Sequence, residues 1–282
     1  MERLGLVANQ LSGKPGTGKR EAKIVDSSVD FYRFYDLFSE EERELAKKAR
    51  SFAENEIAPV INDYVEKATY PDVLMDAFGK SQFASVCLSK PYGEGKPVTY
   101  SIPIVTELAR VDASMATSFF IHANLAMYTI ELFGDEEQKK RYLPDFRDYK
   151  KVIGWALTEP AFGSDASNLE TTATKVHGGW KINGSKRWIG NSNREYIICW
   201  ARDTESKKIQ GFIVNLKSSG VRVEIIQHKL AVRIIQNGDI TFTDVFVPDE
   251  DRLPHVKDFS SVAELLLHSR AQVCAVATGV AM

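Results

Sequence analysis

Two short runs hold the groups best suited to chemistry: WALTEPAFGSD, from Trp155 to Asp165, and KRWIGN, from Lys186 to Asn191, one hairpin later. The first offers strand carbonyls and amides together with the Thr158 hydroxyl, groups that can bond the edge of a flat ring. Pro160 removes a donor and bends the chain away. Gly163 and Ser164 then make a tight turn whose exposed amides suit an anion such as a pyrophosphate. Trp188 adds a flat aromatic surface for a ring face. Singly, each has a plain structural reading: Thr158 in a turn, Trp188 in a core, Gly163 in a β-turn. Their order, within a helix-then-strand context, favours a bound planar cofactor.

The elements that must position these runs are legible in the periodicity. Ser39 and Glu42 form a capping-box signature, after which Leu45, Ala49, Phe52, Ala53 and Ile57 share one helix face that ends by Pro59. Further helices are expected near 71–80, 100–112 and 114–133, the last closed by Gly134 as a C-terminal cap. Asp135 caps a helix carrying Gln138, Tyr142 and Leu143. Near Lys151 the pattern changes. Val152–Thr158, Thr172–Val176, Trp180–Ile182, Arg187–Ile189, Tyr196–Arg202, Ile209–Leu216, Val221–Gln227 and Ile240–Val247 read as strands, with Gly178-Gly179 and Asn183-Gly184 as turns. Such closely spaced short strands predict a compact β-domain, a barrel or sandwich. After Pro254 the helical pattern returns over 262–282.

Composition narrows the function. The chain has 282 residues and a net charge of −2, with a pI near 6.3, which gives no electrostatic case for nucleic acid or an anionic membrane. The most apolar stretch, 119–133, is broken by His122, Asn124 and Glu131, so no membrane span is expected. Cys87, Cys199 and Cys274 are odd in number and far apart, which fits a reducing compartment rather than a disulfide framework. The histidines show no metal-ligand spacing, so no metal is expected.

From about Phe31 onward the chain resembles acyl-CoA dehydrogenases and, within that superfamily, the plant-type peroxisomal short-chain acyl-CoA oxidases. The resemblance lies in ELARVDASMATS (107–118), LFGDEEQKKRYLPDF (132–146), WALTEPAFGSDAS, GGWKINGSKRWIGNS and NGDITFTDVFVPDEDRLP (237–254). It implies an α+β multidomain protein: a leader over 1–30, an N-terminal helical domain over 31–150, a central β-barrel over 151–255, and over 256–282 the first helix of a C-terminal four-helix bundle. It implies FAD as cofactor, lined by Trp155, Ala156, Leu157, Thr158, Gly163 and Ser164 and covered by Trp188, Ile189 and Gly190. Thr158 would bond the ring edge, and Ser164 and Arg270 would meet acyl-CoA. The implied reaction is α,β-dehydrogenation of a short-chain acyl-CoA to the trans-2-enoyl-CoA, in a homodimer or homotetramer.

In this superfamily the glutamate base and the segments completing FAD binding lie downstream of Met282, and no residue here matches the base motif. No catalytic base is therefore assigned, and a non-catalytic remnant that exposes an apolar helix face is a second expectation; a glutaryl-CoA-type dehydrogenase is a third. Family dehydrogenases commonly carry threonine where this chain has Gly190, and glycine there favours reaction with oxygen. KPYGEGKPVTYS (90–101) departs from the family's compact glycine-rich turn. In the leader, Arg3-Leu4 followed after five residues by Gln10-Leu11 resembles a peroxisomal targeting nonapeptide, with a mitochondrial leader as the rival. Gly13–Lys19 only imitates a phosphate-binding loop, because Arg20 stands where Ser or Thr should be.

Overall fold

The computed structural model describes residues 33–282; the Arg3–Leu11 and Gly13–Lys19 runs lie outside them. Helices α1 (Glu40–Phe52), α2 (Ile61–Lys67), α3 (Met75–Ser81), α4 (Ser101–Val111), α5 (Ala113–Phe119), α6 (Tyr128–Phe133) and α7 (Glu136–Arg147) come first. Seven strands follow: β1 (Ile153–Ala156), β2 (Thr172–Val176), β3 (Gly179–Ile189), β4 (Tyr196–Asp203), β5 (Ile209–Asn215), β6 (Val221–Ile225) and β7 (Gly238–Pro248). Helix α8 (Phe259–Ala281) ends the chain.

The strands form one mixed sheet. β4 runs parallel to β1 and β2 and antiparallel to β5, and the path continues β2–β3–β7–β6 in antiparallel pairs. The expected barrel is thus a curled half-barrel with β5 and β6 at its ends. One apolar core joins the helices to β1 and to the outer faces of β4 and β5, through Ile153, Ile198, Trp200 and Ile213. A second, including Ala156, Ile182, Cys199, Phe212 and Ile240, fills the concave side of the sheet.

Local chemistry explains the boundaries. Ser39 and Glu42 make the expected capping box, and Asp135 and Gln138 make another. Their reciprocal bonds satisfy amides that the first helical turn leaves without partners. Gln138 also donates to the carbonyls of Glu250 and Arg252, at 2.8 and 2.9 Å, tying α7 to the end of the sheet. Between α5 and α6 the chain stays helical but widens into a π-turn over Phe120–Met127.

One expected helix end holds and one expected turn needs correction. Gly134 caps α6 as expected, its amide bonding the Ile130 carbonyl at 2.9 Å, in an extended conformation; a Cβ there would sit 2.6 Å from that oxygen. Asn183-Gly184 is no hairpin turn. It lies inside β3, where Gly184 has φ 139° and the register with β7 shifts, so a single strand replaces two short ones. Asn183 instead exchanges hydrogen bonds with Asp244 across the ladder, at 2.8 and 3.1 Å. Among the described residues no helix is long and apolar enough to cross a membrane.

Candidate cofactor site

The two sequence runs meet in space. WALTEP leaves the end of β1, KRWIGN is the end of β3, and the Arg187 amide donates to the Thr158 carbonyl at 2.8 Å. Gly154 and Gly190 are also adjacent: a Cβ on Gly154 would lie 2.6 Å from the Gly190 carbonyl.

Helical groups hold β1 in place from behind. His122, fully buried on the π-turn, accepts the Ile153 amide at Nδ1, 3.1 Å, and its Nε2 reaches the Phe146 carbonyl at 3.0 Å. Those partners require the proton on Nε2. Burial pushes its pKa down to about 4, against which the two backbone bonds act. Trp155 donates its indole N–H to the Thr129 hydroxyl at 3.2 Å and meets Trp200 edge-on.

The loop after β3 is held from the helical side as well. The Ser118 hydroxyl donates to Asn191 Oδ1 at 2.8 Å, and the Asn191 amide returns a bond to the Ser118 carbonyl at 3.2 Å. Asn191 is left-handed at φ 58°, as is Trp188 at φ 63°. Such a conformation is costly for tryptophan and persists only where its surroundings impose it. Here β3 slips in register against β7 between Lys186 and Ile189. The bulge reverses the alternation of faces, so Ile189 is buried and Trp188 is left 52% exposed. The Asn237 amide donates to the Trp188 carbonyl at 3.0 Å and completes this corner.

Of the residues singled out from sequence, Thr158, Trp188, Ile189 and Gly190 lie in contiguous segments on this corner. Ala156 and Leu157 are buried behind it, while Gly163 and Ser164 are exposed on the outgoing turn, which the Glu159 amide closes onto the Phe162 carbonyl at 3.0 Å. The Thr158 and Ser164 hydroxyls make no hydrogen bond within the described residues. Space beside Gly163 is open. The Arg187 guanidinium lies 5.4 Å from the Trp188 ring centroid. A half-exposed aromatic ring beside a cation, an unbonded hydroxyl on the adjoining segment and an open turn fit a planar ring carrying a pyrophosphate. Arg270 is exposed on α8, and no hydrogen bond or ion pair joins it to Ser164 among the described residues.

The structure adds a pair that sequence reasoning passed over. Lys186 is completely buried and donates to Glu159 Oε1 at 2.8 Å and to the Leu157 carbonyl at 3.1 Å. The Glu159 carboxylate also accepts the Glu170 amide at 2.6 Å and the Thr171 amide at 3.0 Å. A signal was present: Lys186 shares strand parity with the buried Trp180 and Ile182, so a charge was due to point inward. A cavity of about 620 Å³ beside Lys151, Ser192 and Arg194 is lined by none of the predicted cofactor residues.

Residues 39–149 match the acyl-CoA dehydrogenase N-terminal domain and residues 154–245 the acyl-CoA dehydrogenase middle domain. The chain belongs to the acyl-CoA dehydrogenase family. It is 34% identical, over 86% of its length, to the caffeyl-CoA reductase–Etf complex subunit CarC of Acetobacterium woodii, and spans 66% of that relative. Its fold matches glutaryl-CoA dehydrogenase of Mycobacterium smegmatis, solved in complex with FADH2, with TM-score 0.84 and 26% identity over 90% of this chain and 66% of that one. Butyryl-CoA dehydrogenase of Megasphaera elsdenii gives TM-score 0.80 and 29% identity over 86% and 65%. The chain therefore spans just under two thirds of these proteins.

Proposed function

We propose that this chain supplies the helical and half-barrel parts of an FAD-dependent acyl-CoA dehydrogenase that forms the trans-2-enoyl thioester of a short-chain acyl-CoA. The observation that carries the reading is the backbone junction of the Thr158 segment with the Trp188 corner. There the Thr158 hydroxyl has no partner among the described residues, and the half-exposed Trp188 ring has the Arg187 guanidinium 5.4 Å from its centroid. The family membership and the FADH2-bound neighbour support the cofactor. In this reading Trp155–Thr158 line one edge of the flavin, Trp188–Gly190 cover a face, and the Gly163–Ser164 turn receives the pyrophosphate. Ser164 and Arg270 are the proposed contacts to acyl-CoA. The domain division at 31–150, 151–255 and 256–282 and assembly as a homodimer or homotetramer belong to the same proposal.

Bound FAD would accept the hydrogen removed from the β carbon. The chain's own contribution is orientation. The Thr158 hydroxyl bonds the ring edge, and the Trp188 indole excludes water from one side. No residue of this chain is assigned as the base for the α proton.

A glutaryl-CoA-type substrate is the second reading, favoured by the likeness to glutaryl-CoA dehydrogenase. Oxygen as acceptor and a peroxisomal location rest on Gly190 and the Arg3–Leu11 run alone; the relatives named are a reductase subunit and dehydrogenases.

The test is a visible-absorbance titration of the chain with FAD, followed by anaerobic butyryl-CoA and glutaryl-CoA. Saturable flavin binding that is lost in Thr158→Ala with Trp188→Ala is expected. Binding unaffected by that double substitution would sink the placement. Bleaching by one thioester and not the other chooses the substrate class.

A further inference from the structure

We infer that Lys186 and Glu159 are a positioning pair: together they set the Thr158 segment against the Trp188 corner, and so fix the seat of the flavin ring without touching it. This rests on the flavin placement proposed above.

The bonds of the pair tie the Thr158 segment to the end of β3 and to the start of β2. Lys186 reaches the carbonyl of Leu157 and the carboxylate of Glu159, the residues on either side of Thr158. Its own neighbour, Arg187, donates its amide to the Thr158 carbonyl. Glu159 in turn gathers the amides of Glu170 and Thr171, which lead into β2. Three stretches of chain thus converge on one carboxylate and one ammonium group.

Energetics argue that geometry, rather than stability, is the reason for the pair. Side-chain exposure is 0% for Lys186 and 4% for Glu159, and removing two charges from water costs as much as, or more than, their attraction returns. A well-packed apolar pair of equal volume would hold the fold as firmly. It could not dictate the direction in which residues 157–159 leave β1, because dispersion contacts are not directional whereas charge-assisted hydrogen bonds are. Burial pulls Lys186 below the usual lysine range. Burial would raise Glu159, but the Lys186 charge and the bonds from Lys186, Thr171 and Glu170 hold it below the usual carboxylate range. The pair is held as a fixed fitting by its geometry, 2.8 Å between Lys186 Nζ and Glu159 Oε1, with bonds to the Leu157 carbonyl and the Glu170 and Thr171 amides around it.

The test uses the 282-residue chain with Lys186→Met combined with Glu159→Gln, a replacement of similar shape that removes both charges together. Amide hydrogen exchange is read at Arg187, Glu170 and Thr171, the midpoint by thermal melting, and FAD affinity and the visible flavin band by titration. The expected result is exchange at Arg187 faster by about tenfold or more, FAD affinity weaker by about tenfold or more and a shifted flavin band, with the melting midpoint nearly unmoved. Unchanged exchange at Arg187 overturns the inference, as does unchanged FAD affinity in a variant whose Arg187 exchange has risen. If the unsubstituted chain takes up no FAD, the flavin placement fails, and the Arg187 exchange still decides whether the pair sets Thr158 against Trp188. Should the double variant not fold, Glu159→Gln alone is read: faster exchange at Glu170 or Thr171 with weaker FAD binding supports the pair, and neither overturns it.

Discussion

A Cβ placed on Gly190 would meet Cδ1 of Ile121 at 2.5 Å. The volume that a larger residue would occupy beside Trp188 is therefore filled by a side chain of the helical layer. Gly190→Thr should destabilise the chain by about 1–3 kcal/mol, the usual cost of overpacking. Ile121→Ala in the same chain should recover much of that loss, giving a favourable coupling in a double-mutant cycle from urea denaturation. Equal midpoints for Gly190→Thr and the unsubstituted chain would mean that Ile121 swings aside without cost.

His122 predicts a pH dependence of stability. The unfolded chain binds a proton on this residue near the ordinary histidine value of about 6.5, whereas the folded chain resists until about pH 4. Between those values the unfolded state holds more protons, so stability falls as pH drops through the window. The loss attributable to His122 is at most about 3 kcal/mol. His122→Asn should be less stable at neutral pH but flatter from pH 6.5 to 4 by urea denaturation. Parallel pH profiles for the two proteins would refute the assignment.

The three thiols should separate by reactivity. Cys274 is exposed, whereas burial pushes Cys199 up to about 11 and Cys87 to about 12. The thiolate is the reactive form, so iodoacetamide at neutral pH should label Cys274 first by peptide mass spectrometry. Early labelling of Cys199 would show that the sheet opens far more readily than its packing implies.

On α8, Leu267, Val273 and Val280 are exposed, at 67%, 55% and 59%. Leu265, Ser269, Gln272 and Gly279 of the same helix are buried, and Gln272 donates to the Ser101 hydroxyl at 2.7 Å. Exposed apolar side chains of this kind promote association. Leu267→Glu with Val273→Lys should lower the mass seen by sedimentation while changing stability by about 0.5 kcal/mol or less. Unchanged association would place the contact elsewhere.

Much of this molecule is local and therefore readable in the chain itself. Capping at Ser39 and Asp135, the change from helical to alternating periodicity near Lys151, and the outlines of β2, β4 and β5 all follow from near neighbours in sequence. So do the motifs around Thr158 and Trp188, whose residue types state what they can bond. Asn183-Gly184 was misread as a turn because its conformation is set by a distant partner, Asp244 on β7.

The arrangement of the site was decided only by tertiary structure. Strict alternation along β3 would send Trp188 inward with Lys186, and a bulge against β7 turns it out to solvent instead. A bulge is a mismatch between two strands, and neither strand records it alone. Likewise a lysine and a glutamate 27 residues apart carry no mark of pairing in sequence. Only when β3 passes the end of β1 does burial make their charges intolerable unless they meet, and that meeting brings Thr158 beside Trp188.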